Sequence, residues 1–205
     1  MDPKTITELS KLDKTMGKLI KKVGPMELKP KKGKNPYQSL VEAVVYQQLT
    51  GKAAATILGR VLDIFPDAKF PTPEQILKIK DERFRSAGLS GAKTAAIKDI
   101  SAKALDGTIP DNRSIVKLGD QEIIDRLTTI RGVGPWTVEM MLIFKLGRPD
   151  IMPSTDYGVR KGFALTYGWD ELPSPKELLL IAEKWRPYRT TAAWYLWRSL
   201  DKPTK

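Results

Sequence analysis

The 205-residue chain contains no cysteine and no histidine. Without cysteine, disulfides, thiolate metal sites and cysteine-held iron–sulfur clusters are excluded. Without histidine the commonest general acid–base group is missing, so any catalysis must rest on carboxylates, Lys, Tyr or Ser/Thr. Long apolar runs are lacking and the N-terminus is polar, so neither a membrane span nor a secretory signal is expected. The expected location is cytoplasmic. Clean period-two alternation is also missing, as is any internal repeat. Acidic charge is the scarcer sign: 24 Asp and Glu stand against 35 Lys and Arg, a net charge of +11. That excess favours a polyanionic partner: DNA, RNA or an anionic membrane.

What is present reads as helix almost throughout, in a chain long enough for one large domain or two small ones. Ile6, Leu9, Leu12, Met16, Leu19, Ile20 and Val23 recur at three and four residues, which predicts one amphipathic helix ending before Gly24-Pro25. Residues 24–34 form a Lys/Pro/Gly linker. Asn35-Pro36 opens a helix to about Leu49, Gly51 breaks it, and an Ala-rich helix runs to about Phe65. Thr72-Pro73, Asp81 and Ser90 look like three further helix starts, the last ending at Asp106-Gly107. Asp120 is read as the cap of the next helix, and Pro135 opens another that ends near Gly147. A loop from Gly147 to Thr155 leads to a helix from Asp156 to about Tyr167, and two last helices start near Pro175 and Pro187.

The most informative stretch is Leu127-Thr-Thr-Ile-Arg-Gly-Val-Gly-Pro-Trp136. It reads as helix, tight hairpin, helix. Gly132 and Gly134 permit backbone angles closed to other residues and let the main chain approach another molecule. Pro135 suits a first helical position, and the N–H groups there offer a phosphate site at the positive end of the helix dipole.

This hairpin, followed by a Pro-containing loop and an aspartate, resembles the helix-hairpin-helix DNA glycosylase superfamily, and more narrowly its 3-methyladenine DNA glycosylase II type. Tyr37-Gln-Ser-Leu with Tyr46-Gln-Gln-Leu-Thr50, Met152-Pro-Ser-Thr-Asp156-Tyr, and Ala182-Glu-Lys-Trp-Arg-Pro-Tyr-Arg189 with Ala193-Trp-Tyr-Leu-Trp197 carry the same likeness over roughly residues 36–200. The resemblance implies an all-α, two-lobed fold with the active-site cleft between the lobes. The expected division is residues 1–35 packing on the C-terminal lobe, 36–118 as the lobe with the DNA wedge, and 119–205 as the hairpin and catalytic lobe. The implied activity is release of alkylated purines from double-stranded DNA by a monomer, with no cofactor required.

Breaking an N-glycosidic bond builds positive charge on the sugar, which a nearby carboxylate stabilises. Asp156 is the candidate. It also reads as a helix N-cap, and the two roles are compatible. Endonuclease III-type relatives carry a Schiff-base lysine where this chain has Trp136, so water is the expected attacking group. An indole face attracts a cationic alkylated base. Trp136, Trp197 and Tyr157 are the expected pocket, with Met140 where some relatives have a tyrosine. For Trp185 and Trp194 core packing is as good an account. The resemblance makes Leu49 the wedge that fills the gap left by a flipped base, with Gln47 and Gln48 beside it to meet base edges. Gly132, Gly134 and Trp136 are expected to grip phosphates, helped by Arg131, Lys161 and Arg160. It also implies a structural Na+ or K+ on the carbonyls of Thr128, Ile130 and Val133. Two other readings remain open from the sequence: a glycosylase for neutral lesions such as uracil or hypoxanthine, and a non-catalytic hairpin module.

Overall fold

In a computed structural model of the chain, residues 3–30 and 35–201 are described, and the described residues contain helices and no strand. They form two compact units, Lys32–Met141 and Met1–Lys31 with Leu142–Lys205. The hairpin helices therefore group with residues 32–141, where the sequence reading had joined them to the C-terminal part. The linker lysines 31, 32 and 34 lie outside the described residues.

In the unit Lys32–Met141, helix α3 (Pro36–Tyr46) starts at a capping box in which Asn35 and Gln38 exchange side-chain and backbone hydrogen bonds. Helix α4 (Gly51–Leu62) follows, with Thr50 accepting from the Ala53 N–H. Gly51 thus opens a helix instead of breaking one, because the threonine before it supplies the cap. Short helices α5 (Pro73–Lys78) and α6 (Asp81–Ser86) precede the long α7 (Gly91–Leu105), capped by Ser90. A one-turn α8 (Asn112–Ile115), held by Asp111, was not expected. Helix α9 (Asp120–Leu127) has Gly119 at its N-cap, so Asp120 sits inside the first turn, where its charge still complements the dipole. Helix α10 (Pro135–Met141) completes the hairpin. Helix α7 is the spine, packing against α3, α5 and α6, while α10 packs on α3 and α9. Leu40, Val44, Ile76, Phe84, Ile97, Ile100, Ile123 and Leu127 are buried in this unit.

The other unit opens with two helices where one was expected: α1 (Pro3–Leu12) and α2 (Lys14–Val23), broken at Asp13. The apolar period survives the break, which is why the sequence concealed it. Asp13 is buried, with extended backbone, and its Oδ1 accepts the Thr15 and Met16 N–H groups at 3.0 Å each. Its Oδ2 meets Tyr167 Oη at 2.7 Å, Trp185 Nε1 at 2.9 Å and Lys184 Nζ at 2.8 Å. Burial would raise this carboxyl. The Lys184 ammonium, the Met16 N–H and the Trp185 and Tyr167 donors outweigh it and hold Asp13 well below the usual carboxylate range.

Around this aspartate pack α11 (Tyr157–Tyr167), α12 (Pro175–Ala182) and α13 (Arg189–Arg198). A 3-10 turn, Glu183–Trp185, and the cis Arg186-Pro187 bond separate the last two. A π-helical turn, Leu142–Leu146, replaces the expected last turns of the second hairpin helix. Helices α11 and α13 meet backbone to backbone. A Cβ on Gly162 would lie 2.0 Å from the Leu196 carbonyl oxygen, so only glycine fits. Trp185, Tyr195, Phe163, Leu9 and Met16 fill the core.

Asp13→Asn keeps a cap but removes the charge that holds Lys184, Tyr167 and Trp185 together. We expect a loss of about 2 kcal/mol near neutral pH. Because the folded carboxyl lies below its unfolded value, its contribution is present above about pH 4 and is lost as pH falls further. Urea midpoints from pH 7 down to pH 3 should therefore converge for the two proteins at the acid end. A constant gap would show that Asp13 contributes no charge-dependent stability.

Candidate active site

The loop that delivers Asp156 is stapled to the start of α13. Gly147 turns the chain at φ +67°, where an added Cβ would lie 2.6 Å from Pro30. The Thr190 N–H donates to the Pro149 carbonyl at 3.0 Å, and the Thr190 hydroxyl donates to the Arg148 carbonyl at 2.7 Å. That hydroxyl also accepts the Ile151 N–H at 3.0 Å. Arg189 donates from Nε to Asp150 Oδ1 and from Nη2 to the Asp150 carbonyl, each at 2.8 Å, while Arg186 reaches Asp150 Oδ2 at 2.7 Å. The Arg189 side chain is almost fully covered, so this pair is less screened than a surface pair. Residues 151–154 are buried, and the Asp156 N–H donates to the Pro153 carbonyl at 3.0 Å.

Asp156 emerges from this loop half-buried and N-caps α11, Oδ1 accepting the Val159 N–H at 2.8 Å. The same oxygen accepts the Trp197 indole N–H, also at 2.8 Å. Trp197 in turn stacks on Phe144, ring centroids 5.7 Å apart and planes at 28°. Gly158 makes room for this arrangement. A Cβ there would come within 3.0 Å of Trp197 Cδ1 and 3.1 Å of Asp156 Oδ1. Tyr157 is 63% exposed, with the Lys161 ammonium 5.8 Å from its ring centre. A fixed carboxylate beside an aromatic pair can stabilise a positive charge on whatever approaches it.

Phe144 was not anticipated. In sequence Leu142-Ile-Phe-Lys-Leu146 is an apolar run that reads as core. The π-helical turn widens the helical period and brings Phe144 out to 37% exposure. Trp185 is core, as one reading of it allowed, and Trp194 lies edge-on to Tyr195 with Arg198 over its ring. Arg160 donates from Nε to the Pro173 carbonyl at 2.7 Å.

In the unit Lys32–Met141, the hairpin turn is fixed by Gly132, at φ +75°, whose added Cβ would lie 2.8 Å from the Ala96 Cβ. The Arg131 N–H donates to Asp99 Oδ2 at 2.7 Å, and its side chain is exposed. Gly134 differs from Gly132. Its φ is ordinary and nothing lies within 4 Å of an added Cβ, so its bare face is open. Trp136 is 42% exposed, and Met140 is half-buried on α10. The Val133 N–H donates to the Ile130 carbonyl at 3.1 Å, leaving that oxygen one lone pair. Among the described residues no group of three or more His, Cys, Asp or Glu could hold a metal ion, and no helix is long and apolar enough to cross a membrane.

The turn after α3 carries Gln47, Gln48 and Leu49. Leu49 is 38% exposed, and Gln48 has φ +58°, the one non-glycine with positive φ among the described residues. Gln47 is engaged within its own unit: Nε2 donates to the Gly132 carbonyl at 3.0 Å and to Thr137 Oγ1 at 3.3 Å. Gln47 thus ties the turn to the hairpin. Lys93 was missed altogether. Its ammonium donates to the Val45 and Gln47 carbonyls at 2.8 and 2.7 Å.

Residues 41–187 match the HhH-GPD superfamily of base excision DNA repair proteins, and the chain belongs to that superfamily. It is 40% identical, over 93% of its length and 84% of the relative's, to DNA-3-methyladenine glycosylase 1 of Schizosaccharomyces pombe. Among solved structures, that organism's 3-methyladenine DNA glycosylase (Mag1) in complex with abasic DNA superposes with a TM-score of 0.83 at 39% identity, covering 95% of both chains. A DNA-3-methyladenine glycosidase from Bacillus halodurans gives 0.86 at 34% identity, covering 96% of this chain and 89% of the other.

The two hairpin glycines should separate in stability. Gly132→Ala must hold a left-handed angle against Ala96 and should cost about 2 kcal/mol, whereas Gly134→Ala should stay within about 0.5 kcal/mol of the parent. Thermal melts check this, and equal losses at the two positions would contradict the geometry.

Proposed function

We propose that the protein is a monofunctional alkylpurine DNA glycosylase of base excision repair. It acts as a monomer on double-stranded DNA, in the nucleoid or nucleus, and requires no cofactor. The damaged purine leaves the stack, at a cost of a few kcal/mol. Leu49 fills the gap, with Gln48 beside it. The C1′–N bond then breaks, and its electron pair goes to the base. A base alkylated at N3 or N7 is cationic, so it departs neutral without a proton donor, which suits a chain lacking histidine. Asp156 stabilises the positive charge that builds on the sugar. Water adds at C1′, its proton passes to solvent, and an abasic site remains in an intact strand.

The observation that carries this reading is the Asp156 carboxylate, held by Trp197 beside the stacked Phe144, in a chain 40% identical to a DNA-3-methyladenine glycosylase. The proposed faces for a cationic base are the rings of Trp136 in one unit and of Trp197 and Tyr157 in the other, with Met140 a non-aromatic pocket candidate on α10. Abasic DNA, the ligand of the Mag1 structure, is what base release leaves behind. Phosphates are gripped at Gly132, Gly134 and Trp136, with Arg131 and Lys161 adding charge. The main-chain carbonyls of Thr128, Ile130 and Val133 are hard oxygen donors suited to a Na+ or K+ when DNA is bound. Ile130 offers its remaining lone pair.

Asp156→Asn should keep the cap on α11 and bind damaged duplex nearly as the parent does, yet lose base release by about a hundredfold or more. Single-turnover release with a parallel binding titration tests this, and near-parental excision would remove Asp156 from the mechanism. Borohydride should trap no protein–DNA adduct, because Trp136 occupies the lysine position. A trapped adduct through any lysine would overturn the water mechanism.

Substrate choice is the second test. Enhancement over the spontaneous rate should be greater for 3-methyladenine and 7-methylguanine than for hypoxanthine or uracil. Trp136→Ala should cost about 1–3 kcal/mol through lost stacking. Processing of uracil or hypoxanthine DNA with methylated DNA untouched would replace the alkylpurine assignment. Absence of any released base would leave only a hairpin DNA-binding module.

A further inference from the structure

Lys93 stands at an unexpected place. It is the third residue of α7, whose N–H is taken by the Ser90 cap at 3.2 Å. A cation in the first turn of a helix opposes that helix's own dipole, so Lys93 brings α7 no electrostatic gain. Its side chain crosses instead to the far end of α3. There the Val45 and Gln47 carbonyls belong to the last turn, where helical oxygens have no partner of their own and where the dipole favours a cation. Both bonds are short and half-buried, and burial holds the ammonium below its ordinary range. Lys93 thus caps α3 from another helix.

The residues that follow are the ones whose geometry needs holding. The Leu49 N–H reaches back to the Tyr46 carbonyl at 3.3 Å, across a Gln48 held in the left-handed region. A non-glycine residue in that region costs roughly 1 kcal/mol or more, so the turn persists only where its surroundings fix it. Its surroundings do so from three sides. Lys93 holds the carbonyls at 45 and 47, the Gln47 side chain is tied to Gly132 and Thr137, and Thr50 caps α4. Leu49 is the only apolar side chain within Gln47–Thr50, and it is exposed.

We infer that Lys93 is a positioning residue for base extrusion: by donating to the carbonyls of Val45 and Gln47 it presets the turn that presents Leu49, so that the wedge enters the duplex without first having to order itself. The role rests on the glycosylase reading above, and in it Lys93 acts through the turn carbonyls it holds. A preordered wedge speeds opening of a paired stack. It does nothing for a base that is already unpaired.

The test uses the full chain with 7-methylguanine either in a fully paired duplex or in the same duplex as an unpaired bulge. Lys93→Met keeps the length and apolar stem and removes the donors. Single-turnover release at saturating enzyme should fall about tenfold from the paired duplex, and less than about twofold from the bulge. Lys93→Arg, which can again donate to both carbonyls, should recover most of the paired-duplex rate. Leu49→Ala should show the same selective loss. A purely structural role for Lys93 would instead lower the active fraction equally on both substrates, shift the melting temperature in step, and leave the paired-to-bulged ratio unchanged, and that result overturns the inference. If Lys93→Met does not fold, the ratio for Lys93→Gln decides in the same way. A parental chain that released nothing from either substrate would sink the glycosylase reading and this role with it. Parental activity with an unchanged ratio in the Lys93 variants would sink this role alone.

Discussion

The contact between Gly162 and the Leu196 carbonyl governs the candidate site. No side chain can stand between α11 and α13 there, since even a Cβ would sit 2.0 Å from that oxygen. Asp156 caps the start of α11, and Trp197 follows Leu196 on α13. Fixing the two backbones at Gly162 therefore fixes the carboxylate against the indole, and the 2.8 Å bond between them follows. Gly158, one turn earlier on α11, keeps the space between these two groups clear. Two glycines that look in sequence like helix weaknesses are what allow the catalytic candidate and its aromatic neighbour to meet.

The loop before Asp156 obeys the same helix pair. Asp150 and Thr190 bind it to the first turn of α13, so one helix holds the aspartate's loop at its N-terminus and the aspartate's indole partner near its C-terminus. A carboxylate that must stabilise transient charge gains from such rigidity, because its reorganisation has been completed during folding. Trp197 has a double part in consequence. In the proposed reaction its ring offers a face to a cationic base, while its N–H fixes the direction of the Asp156 carboxylate.

The all-helical class, most helix starts, the hairpin and the N-cap at Asp156 were legible in the sequence. Ser, Thr and Asn caps, Pro at first positions and apolar period are local signals. What escaped depended on distant partners or on backbone state. Asp13 looked like one polar residue inside an amphipathic helix, and only Tyr167, Lys184 and Trp185 reveal it as a buried break. Phe144 was hidden by a π-helical turn that no short-range pattern announces. The tie from Gln47 to the Gly132 carbonyl joins residues 85 positions apart, and Lys93 was one lysine among many in a basic chain. Conversely, Gly132 and Gly134 looked equivalent, yet only the first needs a left-handed angle.

The unit built from both ends of the chain sets an order of events during synthesis. Residues 32–141 are contiguous and can gather their core as soon as they leave the ribosome. Helices α1 and α2 emerge before them but must wait, since Asp13 finds Tyr167 and Trp185 only 154 and 172 residues later. Until then Met16, Leu19 and Ile20 have no core to enter. Their exposed neighbours Lys14, Lys18, Lys21 and Lys22 give the nascent segment a repelling, soluble face for that interval. Closure of the second unit is thus the last and least local step, the kind that loop entropy makes slow. The aspartate loop and its aromatic neighbours belong to that late unit, so the groups proposed for chemistry come together only after the hairpin unit has had time to form.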